Sequence, residues 1–338
     1  MNYIFISSKD GVNKVGIVEN NRLVEYYTEE DNNEKLVGNV YRGRVENVLR
    51  GMGAAFVDIG EGKNAYLYVK DAYNKKQLLS QKKYSIDQVL KSGDEIIVQV
   101  IKEPLGEKGP KVSTQISIPG RYIVLTPYLK DINISKKIKD NIEIKRLKVI
   151  GENIKKDNIG LIFRTNSQEA SENIIVNEYN QLLDIYNKIE NQRGFLPTPK
   201  LIYKEMDLVY KIVRDTFNER DYKIIVNNSE VYNHILELGY FYSYSVEDRI
   251  IQEDINQAFN RKVRLKSGGY IVIDETEALT AIDVNTGKYT GGLSLRDTIL
   301  QTNFEAAEEI ARQIRLRDIG GIIIVDFIDM KSKNDILS

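Results

Sequence analysis

Apolar positions along this chain follow two different periods. Over residues 2–27 they alternate with polar ones in three short runs, NYIFISS, VNKVGIVE and RLVEYY, separated by KDG and NN. Alternation is the strand period, and Asp-Gly or paired asparagines between such runs mark hairpin turns. From about 36 to 118 come more short runs, VGNVYRGRVENVL, AAFVDIG, NAYLYV and DEIIVQVIKEP, punctuated by GMG, GEGKN and LGEKGPK. Regular short strands with glycine turns predict a small closed barrel of the OB type. Residues 119–166 are mixed: RYIVLTPYL, a basic stretch, then the apolar strand GLIF within NIGLIFRTN. Helical periodicity takes over in NEYNQLLDIYNKIENQ, EMDLVYKIVRDTF, VYNHILELG and VEDRIIQEDINQAFNRKV, with a break at LPTPK and a strand at the IIV of YKIIVNN.

The last segment returns to strands. YIVIDETEALTAIDVNTG predicts two strands around DETEA, and a helix follows from about Thr298 to Arg317. Leu300, Phe304, Ala307, Ala311 and Ile314 form its predicted apolar stripe. Gly320 and Gly321 end it, and IIIVDFID is β-branched enough for a buried parallel strand. Strand, helix, strand is a βαβ unit, which sets its two strands parallel in one sheet. Ligands of such sheets sit beyond the carboxyl ends of the strands, where Asp283 and Asp326 both fall. Asp283 and Asn285 share a face, so Asn285 is a candidate to orient Asp283 or to hold a scissile phosphate. Two hard oxygen ligands suit Mg²⁺, which activates water and neutralises phosphoryl charge without any histidine. The competing reading is that these aspartates cap turns or pair with arginines. Asp274, Glu275, Glu277 and Asp329 are further carboxylates nearby.

Composition narrows the chemistry. At 338 residues the chain is long enough for two or more domains. The net charge of −1 gives no global signal for a polyanion, so any such site must be local. Residues 136–156 hold eight basic residues against three acidic ones, a pattern usual for a solvated face. With no cysteine there is no disulfide, thiol nucleophile or thiolate zinc site, and a single histidine, His234, excludes a histidine pair. No GxxxxGK[ST] phosphate loop occurs, which disfavours a nucleotide phosphotransferase. The start, MNYIFISSKDG, lacks a signal-peptide pattern, and no apolar run nears the ~18 residues of a membrane span; a cytoplasmic protein is expected. In the barrel, Phe56, Tyr66 and Tyr68 lie near glycine turns, with Lys63, Lys108 and Lys111 in the loops. Rings and lysines on one face stack bases and hold phosphates; Phe56 and Tyr66 fit barrel core equally well. Arg164 and Thr165 end GLIF, where a guanidinium and a hydroxyl suit a terminal phosphate.

GGYIVIDETEALTAIDVNTG and NFEAAEEIARQIRLRDIGGIIIVDFIDM resemble, almost continuously, the catalytic segment of the ribonuclease E/G family. AAFVDIGEGKNAYLYV resembles that family's RNA-binding barrel, and GLIFRT resembles its pocket for an RNA 5′-monophosphate. The resemblance implies an α/β and β multidomain chain. Residues 1–35 and 195–265 would form a discontinuous, structural RNase H-like domain, with the OB-type barrel (36–118) inserted. A 5′-phosphate sensor (119–194) and a partial DNase I-like α/β subdomain (266–338) would follow. It also implies a Mg²⁺-dependent endoribonuclease, with Mn²⁺ as a substitute, that cuts single-stranded RNA to 5′-phosphate and 3′-hydroxyl ends in rRNA processing and mRNA decay. Asp283 and Asp326 then match the metal ligands and Asn285 the neighbouring asparagine. Arg164 and Thr165 match the 5′-phosphate contacts, while Phe56, Tyr66 and Lys108 fall in the parts that grip RNA. The stretch ISKKIKD carries lysine where family members carry arginine, keeping charge but losing bidentate geometry. The sequence ends twelve residues after Asp326 and lacks the family's CPxC zinc link. The expectation is therefore a shortened catalytic subdomain, no zinc, and any homo-oligomer built without the zinc-linked dimer. The alternative is a catalytically incomplete RNA-binding fragment.

Overall fold

The computed structural model describes residues 2–30, 35–73, 82–104, 106–156, 159–192, 194, 197–216, 222–237, 255, 259–287 and 295–330. The chain opens with a meander of β1 (Tyr3–Lys9), β2 (Val12–Glu19) and β3 (Arg22–Glu30), all antiparallel. Both of its turns place two successive residues at positive φ, Asp10 (52°) with Gly11 (74°) and Asn20 (51°) with Asn21 (60°). That geometry matches the right-handed twist of the flanking strands, and Asp, Asn and Gly tolerate it best.

The predicted barrel follows: β4 (Val40–Leu49), β5 (Ala54–Asp58), β6 (Ala65–Tyr68), a one-turn helix α1 (Ile86–Val89), β7 (Glu95–Lys102) and β8 (Lys111–Ser113). Its strands run β4-β5-β6-β8-β7, and β7 pairs back onto β4, closing five strands in the OB order. Val45, Ala55, Val57, Ala65, Leu67, Val98 and Val112 fill the interior, capped by Ile86 and Leu90. Small and branched residues alternate there because a five-stranded barrel leaves little room inside.

A second sheet comprises β9 (Ile118–Pro119), β10 (Ile123–Thr126), β11 (Ile132–Ile134) and β12 (Gly160–Phe163), in the order β11-β12-β10-β9. The basic stretch between β11 and β12 forms α2 (Asn141–Ile154), and α3 (Glu172–Asn191) follows the sheet. Asp140 caps α2 by accepting the Ile142 N–H at 2.9 Å. Leu147 and Ile150 of α2 meet Ile175, Tyr179, Leu182 and Leu183 of α3 in one core with the sheet. β13 (Lys200–Tyr203) then pairs antiparallel with β4. Residues 34–207 make one compact unit.

The other compact unit joins residues 1–33 to the chain from Leu208 onward. In it α4 (Leu208–Thr216), β14 (Lys223–Val226) and α5 (Ser229–Glu237) complete the first sheet, with β14 parallel to β1. Ile4, Ile6, Val15, Ile17, Val209, Val213, Ile224, Val226 and Ile235 form its core. The side chain of His234 and most of the helical pattern VEDRIIQEDINQAF lie outside the described residues. A last sheet follows: β15 (Lys262–Arg264), β16 (Tyr270–Glu275), β17 (Leu279–Asn285) and β18 (Ile322–Asp326), with α6 (Leu295–Leu316) between β17 and β18. No helix among the described residues is long and apolar enough to cross a membrane.

The buried face of α6 is not the predicted stripe. Phe304 is 48% exposed, and Ala307 and Ala311 also face outward. Instead Thr298, Thr302, Asn303, Ala306, Glu309, Ile310, Gln313 and Leu316 are buried. Ala306 and Ile310 pack on the last sheet, while the polar members bond to partners that no local pattern reveals. Glu309 receives Arg22 of β3, Arg312, and the Gln313 amide at 2.9 Å. Arg312 also donates to the Leu23 carbonyl at 2.6 Å, and Arg315 bridges Glu19 (3.1 Å) and Glu25 (2.7 Å). A helix whose buried polar groups find partners within the helix, on the first sheet and at the chain end after β18 hides its inner face from hydropathy.

Burial pushes the Glu309 carboxyl up, but donors from Arg312 and Gln313 and the charges of Arg312 and Arg22 outweigh it and hold it below the usual range. This carboxylate therefore stabilises the fold fully above its unfolded value of about 4.3, and loses that contribution as pH falls through the lower folded value. Glu309→Ala strands its arginines and should cost on the order of 3 kcal/mol. Thermal unfolding should show that loss at neutral pH, shrinking under acid; equal loss at both pH values would refute the assignment.

Candidate active site

The two aspartates are brought together by register. β17 and β18 pair in parallel, with Asp283 directly opposite Asp326. Along β17, Thr280, Ile282 and Val284 are buried while Ala281 and Asp283 are exposed, so the aspartates stand on the open face of the sheet, opposite α6. Strands are about 4.8 Å apart, which puts the two carboxylates side by side at the carboxyl ends of their strands. Asn285, on the same face, donates from Nδ2 to Asp283 Oδ2 at 2.6 Å. That bond fixes one oxygen and leaves the other outward.

The remaining carboxylates separate from the pair. Arg261 grips Asp274, with Nη2 at 2.8 Å from Oδ2, and holds its carboxyl below the usual range. Glu275, Glu277 and Asp329 are exposed, and among the described residues no three His, Cys, Asp or Glu side chains gather to hold a metal. Two hard oxygen donors on an open face fit a small divalent cation that keeps most of its waters.

Asn303 of α6 steadies this edge. Its Nδ2 donates to the Ile328 carbonyl at 2.9 Å and its Oδ1 accepts the Ile328 N–H at 3.1 Å, clamping the chain two residues past Asp326. Sequence reasoning passed over it, although a polar residue amid buried helix positions was the signal available.

On the barrel, Phe56 and Tyr66 are opposite one another on β5 and β6 and are half-buried on the outer wall; their neighbours Ala55, Val57, Ala65 and Leu67 supply the core. The core reading of these rings is therefore wrong. Their centroids are 6.1 Å apart at 71°, an edge-to-face pair. The row continues from Asn47 through Phe56 and Tyr66 to Lys111. Lys108 is exposed in the adjoining loop, whereas Lys63 ties two loops by donating to the Gly106 carbonyl at 2.8 Å, and Lys111 pairs with Asp71 at 2.7 Å.

Arg164 and Thr165 follow β12, and Ser135 follows β11, its parallel neighbour. Thr165 Oγ1 lies 3.2 Å from Ser135 Oγ, just before the exposed Lys136 and Lys137. Arg164 is half-buried and donates from Nη1 to the Gly120 carbonyl at 2.7 Å. Glu178 of α3 secures that loop by accepting the N–H groups of Arg121, Tyr122 and Ile123 at 2.6, 2.8 and 2.9 Å. Burial pushes its carboxyl above the usual range despite these donors and the charge of Arg164. A Cβ on Gly120 would meet the Glu178 carboxyl at 2.5 Å, so only glycine permits the approach. Glu178 also escaped notice, although it stands beside the apolar stripe of Ile175, Tyr179 and Leu182.

An OB barrel with rings on its wall, in one chain with an open sheet bearing paired aspartates, defines a nucleic-acid-binding enzyme. Residues 34–115 match the S1 RNA binding domain, and residues 117–337 match the Ribonuclease E/G family. Ribonuclease G of Salmonella typhimurium and of Escherichia coli K12 are each 35% identical over 341 residues, covering 95% of this chain and 70% of theirs. Ribonuclease E of Synechocystis sp. is 37% identical over 317 residues, covering 88% of this chain and 47% of that protein. The chain belongs to the ribonuclease E/G family and is an endoribonuclease of that type.

Asn303→Ala frees the strand end that carries Asp326. It should lower kcat by about tenfold or more while the KM for RNA changes little. Unchanged kcat in a folded variant would show that the clamp plays no part in placing Asp326.

Proposed function

We propose that this endoribonuclease depends on Mg²⁺, with Mn²⁺ as a substitute, and cuts single-stranded RNA to 5′-phosphate and 3′-hydroxyl ends in rRNA processing and mRNA decay in the cytoplasm. The observation that carries the reading is the parallel register that sets Asp283 opposite Asp326 on an open sheet face. Asp283 and Asp326 would hold the cation, and the Asn285 amide orients the Asp283 carboxylate. A bound divalent cation supplies an activated water and neutralises charge building on the phosphoryl oxygens. In the reaction, water adds to phosphorus and the bond to the 3′ oxygen breaks, leaving the phosphate on the 5′ side of the downstream product.

Phe56 and Tyr66 would stack bases and Lys108 would hold phosphate on the barrel wall; their outward placement on neighbouring strands supports this. Arg164 and Thr165 would bind a 5′-monophosphate, supported by the Ser135 hydroxyl and the exposed lysines beside Thr165. In this reading the sheet β14-β1-β2-β3 with α4 and α5 is the RNase H-like structural domain, β9–β12 with α2 and α3 the sensor, and β15–β18 with α6 the DNase I-like subdomain.

The first test is a short A/U-rich RNA carrying a 5′-monophosphate, incubated with Mg²⁺ and with EDTA. Internal cleavage only with Mg²⁺ is expected, and Asp283→Asn or Asp326→Asn should abolish it while RNA binding persists. Cleavage by either variant at the wild-type rate would remove the metal assignment. Binding without cleavage by the wild-type chain would favour the catalytically incomplete RNA-binding fragment. Arg164→Ala should erase most of the preference for a 5′-monophosphate over a 5′-hydroxyl, about tenfold for one charged contact; an intact preference would disprove the sensor role.

A further inference from the structure

The open face that carries the aspartates holds a second feature with no role so far. β15 sets Lys262 opposite Val272 of β16, and Val272 is opposite Asp283, so Lys262, Val272, Asp283 and Asp326 form one row across the sheet. The next row holds Arg264, Tyr270 and Asn285. Lys262 leans from the first row onto the second: its Nζ lies 3.5 Å from the centroid of the Tyr270 ring. Tyr270 is half-buried, and its ring abuts the turn after β17. There Gly287 sits at φ +61°, and a Cβ would come within 2.7 Å of the Gly268 carbonyl and 3.5 Å of the ring. The Gly268 carbonyl and the positive φ thus require glycine there, and the ring lies in ordinary contact with that turn.

A cation over a tyrosine face gains roughly 0.5–1 kcal/mol at an exposed site. That is enough to favour one place for an otherwise flexible side chain. Asp274, the acid of the same face on β16, is already taken by Arg261, and Lys262 makes no ion pair among the described residues. The outcome is an exposed ammonium held over the Tyr270 ring. The Lys262 backbone lies about two strand spacings, roughly 10 Å, along the row from Asp283. A cation fixed in this way, with Arg264 in the next row, has one natural partner in a polynucleotide, the backbone phosphate.

We propose that Lys262, aimed by Tyr270, is a substrate-positioning residue that holds a phosphate neighbouring the scissile one, so that RNA lies across the aspartate pair in a single register. This rests on the endoribonuclease reading of Asp283 and Asp326. Tyr270 acts through Lys262 and needs its ring rather than its hydroxyl.

The test compares Lys262→Ala, Lys262→Arg, Tyr270→Leu and Tyr270→Phe in the full chain. Its substrates are a 5′-monophosphorylated RNA with one cleavage site and two analogues carrying a single neutral methylphosphonate, one nucleotide to either side of that site. Lys262→Ala should lower kcat/KM on the natural RNA by about tenfold, the worth of one charge-assisted contact. Tyr270→Leu should approach that loss, while Tyr270→Phe and Lys262→Arg stay near wild type. The wild-type enzyme should lose a similar factor on one of the two analogues, and Lys262→Ala should lose nothing further on that same analogue. An unchanged Lys262→Ala on natural RNA, or a variant as sensitive as wild type to both analogues, overturns the proposal with the endoribonuclease reading intact. Asp283→Asn cleaving like wild type would instead fell the reading itself, and this proposal with it.

Discussion

Asp283 faces Asp326 across a single parallel strand pair, and that register is the constraint on which the rest of the site depends. Side chains alternate along a strand, so a slip of one residue would turn Asp326 under α6 and bring Val325 to the open face. The strand itself is a poor guide to its own register, since Ile322, Ile323 and Ile324 are interchangeable as apolar residues. What distinguishes the correct alignment is the polar clamp from Asn303 to Ile328, which only one placement of the strand satisfies.

The helix that provides the clamp is fixed by charge as well as by apolar packing. Glu309, Arg312 and Arg315 engage Arg22, the Leu23 carbonyl, Glu19 and Glu25 of the β2–β3 hairpin. Tyr222 and Tyr27 add hydrogen bonds to Glu19 and Glu25 at 2.8 Å each. Apolar packing comes from Ala306, Ile310 and Ile314 against the last sheet and from Leu316 buried against Val18 and Leu23. Such a seam stabilises less than an apolar one of equal area, but it tolerates few alternatives.

Local signals were strong where the cause is local. The hairpin turns announce themselves because Asp-Gly and Asn-Asn accept positive φ, and the barrel because short alternating runs meet glycine turns. The aspartate pair was legible because a strand–helix–strand pattern implies parallel neighbours. The inner face of α6 was not, because Arg22 and Glu309 find each other across most of the sequence. The helix α2 hid within a basic stretch because Ile142 and Val149, 80% and 60% exposed, blur its apolar stripe. Alternation in β5 and β6 separates two faces but does not say which one turns inward. The small Ala55 and Ala65 go inside because the barrel is narrow, leaving Phe56 and Tyr66 on the wall.

The polar seam along α6 also changes what inheritance of function means for this chain. A helix held by grease can creep along its partner and adjust to a lost methyl group. One that also carries paired charges must break those pairs to move. Random mutagenesis scored by activity would therefore return hairpin positions such as Arg22 and Glu25 beside the aspartates, although most of the chain separates the two. A genetic map of this enzyme would place part of its active site at its amino terminus.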